Sequence, residues 1–154
     1  MDKKEKYTAL YKEAQGLVSG ENDLIANLAN ITALIKDRFG FFWIGFYLVK
    51  DSQLVLGPFQ GPVACTRIAH GKGVCGTSWA QAKALIVADV HEFPGHIACS
   101  AMSKSEIVLP VFYGKEVYMV LDIDSDELAT FDKVDEVGLS MLCELISENL
   151  PTWN

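Results

Sequence analysis

The apolar residues of this chain change their spacing along its length, and that change limits the folds open to it. Between residues 7 and 39 they recur every three or four positions in two separate patterns, which predicts two amphipathic helices. From residue 41 to 124 they follow a two-residue period in several short segments, which predicts strands. Helical spacing returns between residues 130 and 150. The order helix, helix, strands, helix predicts a mixed α/β (α+β) fold in which an antiparallel sheet is covered by helices.

Short polar turns indicate how the predicted strands pair. The predicted strands are the segments 41–50, 53–59, 84–88, 106–113 and 116–124. Asp51 and Ser52 separate the first two segments, and Gly114 and Lys115 separate the last two. Turns of this length join antiparallel neighbours, so both pairs are predicted hairpins.

The last helix has recognisable ends. Thr130 is its predicted N-cap, because a hydroxyl at that position can accept a backbone N–H, and the helix is predicted to end before Pro151. Its predicted core face consists of Val134, Val137, Met141, Leu145 and Ile146.

Composition narrows the class of protein. A chain of 154 residues that is 50% apolar is the size of one domain, 1–154, with helices in 1–40, sheet and loops in 41–125 and a helix in 130–150. No apolar run reaches the roughly 20 residues that span a bilayer, and none follows the N-terminal lysines as in a signal peptide. We therefore expect a cytoplasmic protein without a membrane segment. The net charge of −7 argues against binding to nucleic acid.

Two segments, 57–81 and 90–105, are long, rich in glycine and polar residues, and predicted to be loops. They contain all three histidines and three of the four cysteines. Long loops within a compact domain are often functional, so we expect the site there.

The cysteines have different surroundings. Cys143 lies in the last helix and is predicted to be a buried structural thiol. Cys65 and Cys75 are compatible with core packing, metal binding or redox chemistry. A zinc site drawn from Cys65, Cys75, His91, His96 and Cys99 would lack the closely spaced cysteine pair typical of structural zinc, so no metal is predicted.

Cys99 is the candidate reactive thiol. His96 and Lys104 are close in sequence and could supply positive charge, which lowers a thiol pKa from its free value of about 8.5. The alternative is a half-buried, unreactive thiol beside a solvated histidine.

Acidic and aromatic residues add to this picture. Asp122 and Asp124 share one face of a strand, and Glu106 begins a neighbouring strand, so the three could bind an amine and donate a proton. Strand-end carboxylates facing water are the alternative. Trp43 and Tyr47 also share a strand face, where they either pack in the core or wall a small pocket.

Seven stretches of the chain closely resemble the free methionine-(R)-sulfoxide reductases, which are built on a GAF domain. They are WIGFYL (43–48), LVLGPFQG (54–61), GVCGT (73–77), DVH (89–91), GHIAC (95–99), SEIVLP (105–110) and LDIDS (121–125). The resemblance runs from about residue 20 to 150 and keeps the order and spacing of the motifs. Two positions depart from the family pattern: Ser100 stands where Asp is expected and Met119 where Gly is expected.

The resemblance implies a GAF domain with a central antiparallel sheet of about six strands flanked by helices. It implies a thiol-dependent reductase of free methionine (R)-sulfoxide, a homodimer that needs no cofactor besides external thioredoxin or another dithiol. By position it implies that Cys99 is the catalytic thiol, Cys65 the resolving thiol and Cys75 a further exchanging thiol. It places catalytic or substrate-binding roles on Glu106, Asp122, Asp124, Trp43, Tyr47, Ile97 and Ala98.

Two other classes of function are compatible with the sequence. GAF domains often serve as regulatory modules that bind small molecules, and the thiols of a free-standing module could report oxidation. A structural protein with incidental thiols is the other class. Loss of an activity on Cys99→Ser would separate the reductase from both.

Overall fold

A computed structural model of the chain describes residues 1–96 and 99–154. Four helices and six strands follow in the order α1 (Lys3–Val18), α2 (Leu24–Phe39), β1 (Trp43–Lys50), β2 (Gln53–Gln60), β3 (Arg67–Ala69), α3 (Gly73–Gln81), β4 (Leu85–Val87), β5 (Ser105–Tyr113), β6 (Glu116–Ser125) and α4 (Lys133–Asn149). Short 3-10 helices occupy Val90–Glu92 and Leu150–Thr152.

The strands form one sheet in the order β3-β2-β1-β6-β5-β4, and all paired neighbours are antiparallel. The predicted antiparallel sheet of about six strands flanked by helices is therefore confirmed. Both predicted hairpins are present: Asp51 and Ser52 adopt positive φ in the first turn, and Gly114 does so in the second.

Each face of the sheet covers its own apolar core. On one face α1, α2 and α4 pack against alternate residues of the central strands, such as Phe46, Leu109 and Leu121. On the other face α3 and the connecting loops pack against the intervening residues, such as Tyr47 and Val108. Because side chains alternate across a strand, each central strand supplies one row to the helical core and one to the α3 side.

A buried polar contact joins the first and last helices. The Tyr7 hydroxyl donates to Asp135 Oδ1 at 2.7 Å, and Lys3 Nζ lies 2.8 Å from Asp135 Oδ2. Gly138 completes the contact, because a Cβ at this position would lie 2.6 Å from Cβ of Tyr7. The two helices pack closely enough that only glycine fits there.

The structure corrects the prediction for α4. Its N-cap is Asp132, which accepts backbone N–H groups in a capping box with Asp135, whereas Thr130 instead donates to Ser125 Oγ. The predicted core face is also largely wrong. Leu145 and Ile146 are buried, but three predicted members are 40–53% exposed: Val134, Val137 and Met141.

The reason for the error lies in the buried face itself. It contains Asp135 and Gly138 together with Leu139, Leu142 and Cys143. A carboxylate and a glycine interrupt the apolar pattern of the buried face. In the sequence, the apolar spacing of Val134, Val137 and Met141 is therefore more regular than that of the face that is buried. Cys143 is buried, as its structural role requires.

The predicted loop 57–81 was wrong in part, because it contains the end of β2, all of β3 and the helix α3. The α3 sequence has two glycines, which weaken helix propensity. Close packing explains the glycine at position 76, since a Cβ there would lie 2.5 Å from the Ala69 carbonyl oxygen. In the predicted loop 90–105 the described residues form only the 3-10 turn Val90–Glu92 before β5 begins.

Within the described part of the chain, no helix combines the length and apolar character needed to cross a membrane.

Candidate active site

A pocket opens on the α3 side of the sheet, where β1, β5 and β6 approach the start of α3. Two loops complete its walls, one containing Val63 and Ala64 and the other containing His96, Cys99, Ser100 and Ser103. Seven of the predicted site residues line this pocket: Trp43, Tyr47, Cys75, Cys99, Glu106, Asp122 and Asp124.

Cys65 and Cys99 form a disulfide at the pocket wall, with their Cα atoms 5.4 Å apart. Both residues are half-buried. The Tyr47 hydroxyl donates to the Cys65 carbonyl oxygen at 2.9 Å, which holds the Cys65 loop against β1. A cysteine pair in this position can be oxidised to the disulfide and reduced to the dithiol at the edge of a pocket.

Three carboxylates lie together on the pocket floor because of the strand register. Asp124 of β6 pairs with Glu106 of β5 on one side and with Trp43 of β1 on the other. Asp122, two residues earlier, projects from the same face of β6. Glu106 and Asp122 are buried, and Asp124 is partly buried.

Burial, reinforced by the charges of the neighbouring carboxylates, raises the pKa of Glu106, Asp122 and Asp124 well above their usual values. Oδ1 of Asp122 and Oδ1 of Asp124 are buried and make no hydrogen bond to the residues that the structure describes. A cluster of this kind retains a proton to higher pH than isolated carboxyl groups do, and it can also bind a cation.

Cys75 lies on α3 above these carboxylates. Its buried Sγ is 3.9 Å from Glu106 Oε2, in position to donate a weak hydrogen bond. Burial and the charges of Asp122, Glu106 and Asp124 raise the pKa of the Cys75 thiol well above its usual value. Cys75 therefore resists forming a thiolate, unlike a typical reactive cysteine.

The aromatic residues wall the opposite side. The Trp43 indole stacks on Tyr47 at 5.9 Å and on Phe59 at 5.3 Å between ring centroids, and its Nε1 donates to the Pro62 carbonyl oxygen at 3.0 Å. Gly45 lies between Trp43 and Tyr47 in sequence, on the same face of β1. A Cβ on Gly45 would lie 2.6 Å from Cβ of Phe59.

The positive charge near Cys99 differs from expectation. His96 lines the pocket, but burial and the neighbouring His91 lower its pKa, so it is largely neutral at neutral pH. The Lys104 side chain is exposed and does not line the pocket, whereas Lys72 at the start of α3 does. Ile97 and Ala98, both predicted substrate-binding residues, lie outside the described residues.

Several pocket residues were missed in the sequence. They are Val63, Ala64, Ile68, Lys72, Gly73, Val74 and Ser103. The glycine-rich pattern G-V-C-G at 73–76 predicts a loop, whereas the structure has the start of α3 there. Of the two departures, Ser100 lines the pocket, whereas Met119 is fully buried on the helical face of the sheet, where it fills the core.

The zinc ligand set considered from sequence is not assembled, since Cys65 and Cys99 are bonded to each other. Among the described residues, the group that could hold a metal ion is Cys75, Glu106 and Asp122.

Comparison with known proteins agrees with this fold. The GAF domain family model matches residues 22–150. GAF domain-containing protein A of Dictyostelium discoideum is 57% identical over 145 residues, which cover 94% of this chain and 92% of that protein. The free methionine-R-sulfoxide reductase of Escherichia coli is 46% identical over 153 residues, which cover 99% of this chain and 93% of that protein.

A solved structure is also closely similar. The X-ray structure of free methionine-R-sulfoxide reductase from Neisseria meningitidis, in complex with its substrate, superposes with a TM-score of 0.97 at 45% identity. The match covers 99% of this chain and 92% of that one. By sequence and by fold, this chain belongs to the GAF domain family, within the group that contains the free methionine-R-sulfoxide reductases.

Proposed function

We propose that this chain reduces free methionine (R)-sulfoxide to methionine with Cys99 as the nucleophile. The observation that carries the proposal is the placement of a cysteine pair able to form a disulfide in one pocket with three carboxylates, two of them buried and one partly buried, and an aromatic wall. The similar proteins of Escherichia coli and Neisseria meningitidis are named for this reaction, which supports the same assignment here.

In the first step the Cys99 thiolate attacks the sulfoxide sulfur. A protonated carboxyl group, Glu106 or Asp124, donates its proton to the sulfoxide oxygen as the oxygen is transferred. The substrate sulfur gains two electrons and becomes the thioether of methionine, and Cys99 loses two electrons and becomes a sulfenic acid. The raised pKa values of these carboxyl groups favour the protonated form that the step requires.

In the second step Cys65 resolves the sulfenic acid. Its thiol attacks Cys99 Sγ, the S–S bond forms, and the hydroxyl group leaves as water. The disulfide between Cys65 and Cys99 supports Cys65 in this role. Cys75 is less suited to act first because its thiol is buried and its pKa is raised. We assign it to later disulfide exchange.

In the third step an external dithiol reduces the disulfide by thiol exchange and restores both cysteines. We propose thioredoxin as this reductant, with no bound cofactor. We also propose that the enzyme works in the cytoplasm, where such reductants maintain thiols and where it would counter oxidative stress, and that it is a homodimer.

Selectivity for the free amino acid would follow from the charges of the pocket. The substrate ammonium would bind Asp122, Asp124 and Glu106, and the S-methyl group would contact Trp43. The substrate carboxylate would accept hydrogen bonds from backbone N–H groups near residues 97–99. A methionine within a peptide chain lacks both charges and would leave the buried carboxylates unpaired, which disfavours its binding.

The test is direct. Reduced protein is incubated with racemic free methionine sulfoxide and a dithiol, and each epimer is quantified by chiral chromatography. We expect selective loss of the R epimer, abolished by Cys99→Ser and retained by Cys143→Ser, which changes a thiol outside the pocket. Persistence of both epimers with folded, reduced protein would overturn the proposal and favour a ligand-binding sensor.

A further inference from the structure

We propose that Cys75, Glu106 and Asp122 form a binding site for a thiophilic divalent cation of the Zn²⁺ class. The site lies on the carboxylate floor of the pocket, and it requires no movement of the main chain. Binding of the cation does not depend on the function proposed above. The expected consequence of that binding, exclusion of the substrate ammonium from the same carboxylates, does rest on that function.

The geometry of the three side chains fits a metal ion. Their potential ligand atoms all lie within 4.8 Å of one another, and Cys75 Sγ is 3.9 Å from Glu106 Oε2. With Zn–S of about 2.3 Å and Zn–O of about 2.1 Å, two tetrahedral ligands of one ion lie roughly 3.6 Å apart. Small rotations of the side chains would therefore bring all three ligands into place.

A second observation points to a cation at this position. Asp122 is only 5% exposed, and its Oδ1 has no hydrogen-bond partner among the described residues. A buried carboxylate oxygen without a partner is unfavourable because the group has lost its water. Asp122 lines the pocket, so a cation bound beside it would supply the missing interaction.

The kinds of ligand select the metal. Carboxylates alone would suit Mg²⁺ or Ca²⁺, but the thiolate of Cys75 favours Zn²⁺ and similar ions such as Co²⁺. On binding, the Cys75 S–H bond breaks, the S–metal bond forms and the proton passes to solvent. Three protein ligands leave a fourth position open toward the pocket. No oxidation or reduction takes place.

The site overlaps the proposed substrate site. Glu106 and Asp122 would bind either the metal or the substrate ammonium, so each ligand should displace the other. We therefore expect Zn²⁺ to inhibit the reductase competitively with respect to free methionine sulfoxide.

Co²⁺ is the probe, because thiolate coordination produces a sulfur-to-cobalt charge-transfer band. The titration uses the disulfide-bonded protein, in which Cys65 and Cys99 are blocked and the free thiols are Cys75 and Cys143. We expect the band in the wild type and in Cys143→Ser, its absence in Cys75→Ser, and its loss on addition of Zn²⁺. Glu106→Gln should weaken Co²⁺ binding at least tenfold while leaving the thiol in place.

Two results of the cobalt titration would count against the proposed metal site. A wild-type protein without the band, or a band that survives in Cys75→Ser, would overturn the proposal. Circular dichroism checks that each variant is folded, and Glu106→Gln gives an independent test if Cys75→Ser is not.

Competition is measured in the same oxidised protein by adding excess free methionine, which carries the ammonium group. Glycine at the same concentration is the control, because it chelates Co²⁺ in solution through the same amino and carboxylate groups. Weaker Co²⁺ binding with methionine than with glycine would support the shared site, and equal binding would overturn that part. Because these measurements do not use turnover, a missing reductase activity with an intact cobalt band would reject the proposed function and leave the metal site standing.

Discussion

Glu106 and Asp124 lie directly opposite each other in the register of β5 and β6. Side chains of paired residues project to the same face, so the register alone brings two carboxyl groups together on the pocket floor. Burial raises the pKa of both groups, and the charge of Glu106 raises the pKa of Asp124 further. Either carboxyl group can therefore hold a proton in the pocket that Cys99 also lines, where the proposed reaction needs one.

Replacing Glu106 by Gln should remove a proton donor while keeping the shape of the side chain. If Glu106 is the general acid, kcat should fall by about 100-fold or more, and KM should also rise because Glu106 contributes to binding of the substrate ammonium. Asp122→Asn, which weakens the cation site, should mainly raise KM. Steady-state kinetics of both variants and of Asp124→Asn measure this. An unchanged kcat in Glu106→Gln with a large loss in Asp124→Asn would assign the acid to Asp124.

The carboxylate cluster should also make stability depend on pH. Its pKa values are raised in the folded state above the ordinary 4.5 of Glu and 3.8 of Asp. Between the unfolded and folded values the native protein holds more protons than the unfolded chain, so the free energy of unfolding should fall as pH rises through this range. Asp122→Asn should make that decline shallower, as urea unfolding at several pH values would show. A decline of equal slope in both proteins would contradict the prediction.

Gly45→Ala should displace the aromatic wall. The added methyl group would collide with Phe59 and with the Trp43 indole, so the indole must move. We expect a shift in tryptophan fluorescence and a KM for methionine sulfoxide raised by about tenfold, equivalent to about 1.4 kcal/mol of lost binding. Gly16→Ala is the matched control: it lies in α1 with no atom within 4 Å of the new Cβ and should be neutral or stabilise by up to about 1 kcal/mol. Equal effects of the two substitutions would argue against a specific role for Gly45.

Tyr7→Phe should destabilise the protein without affecting the site. It removes the hydroxyl that donates to buried Asp135, and a buried acceptor that loses its donor costs about 1–3 kcal/mol. Tyr113→Phe, at a position 47% exposed, should change the free energy of unfolding by less than about 0.5 kcal/mol. Urea unfolding gives both values, and kcat/KM should stay at the wild-type level in each variant. A large loss of activity with Tyr7→Phe would mean that the contact between α1 and α4 also supports the pocket.

The disulfide should stabilise the oxidised protein. It joins residues 34 apart in sequence, and restricting a loop of this length in the unfolded chain contributes up to about 4 kcal/mol. Denaturant unfolding of the oxidised and reduced forms measures the difference, which Cys65→Ser should abolish and Cys143→Ser should retain. If the oxidised Cys65→Ser protein keeps the extra stability, the stabilising bond joins other cysteines.

Much of the site could be predicted from local patterns. Alternation along a strand places Asp122 with Asp124, and Trp43 with Tyr47, on common faces before any tertiary contact is known. The hairpin turns at Asp51-Ser52 and Gly114-Lys115 have the lengths that antiparallel strands require. The position of Cys99 in a polar, glycine-rich segment identified it as a candidate reactive thiol.

By itself, then, the sequence determined the order of elements, the antiparallel pairing and the two faces of the central strands, because a two-residue period is a local property of the chain. Only the tertiary structure decided which face of α4 is buried, because Tyr7 packs on Gly138 and bonds to Asp135 from a distant helix. Tertiary packing likewise turns a glycine-rich segment into α3 and brings Cys75 above the carboxylates. Contacts between residues far apart in sequence select among several locally acceptable conformations, and local periodicity carries no information about that choice.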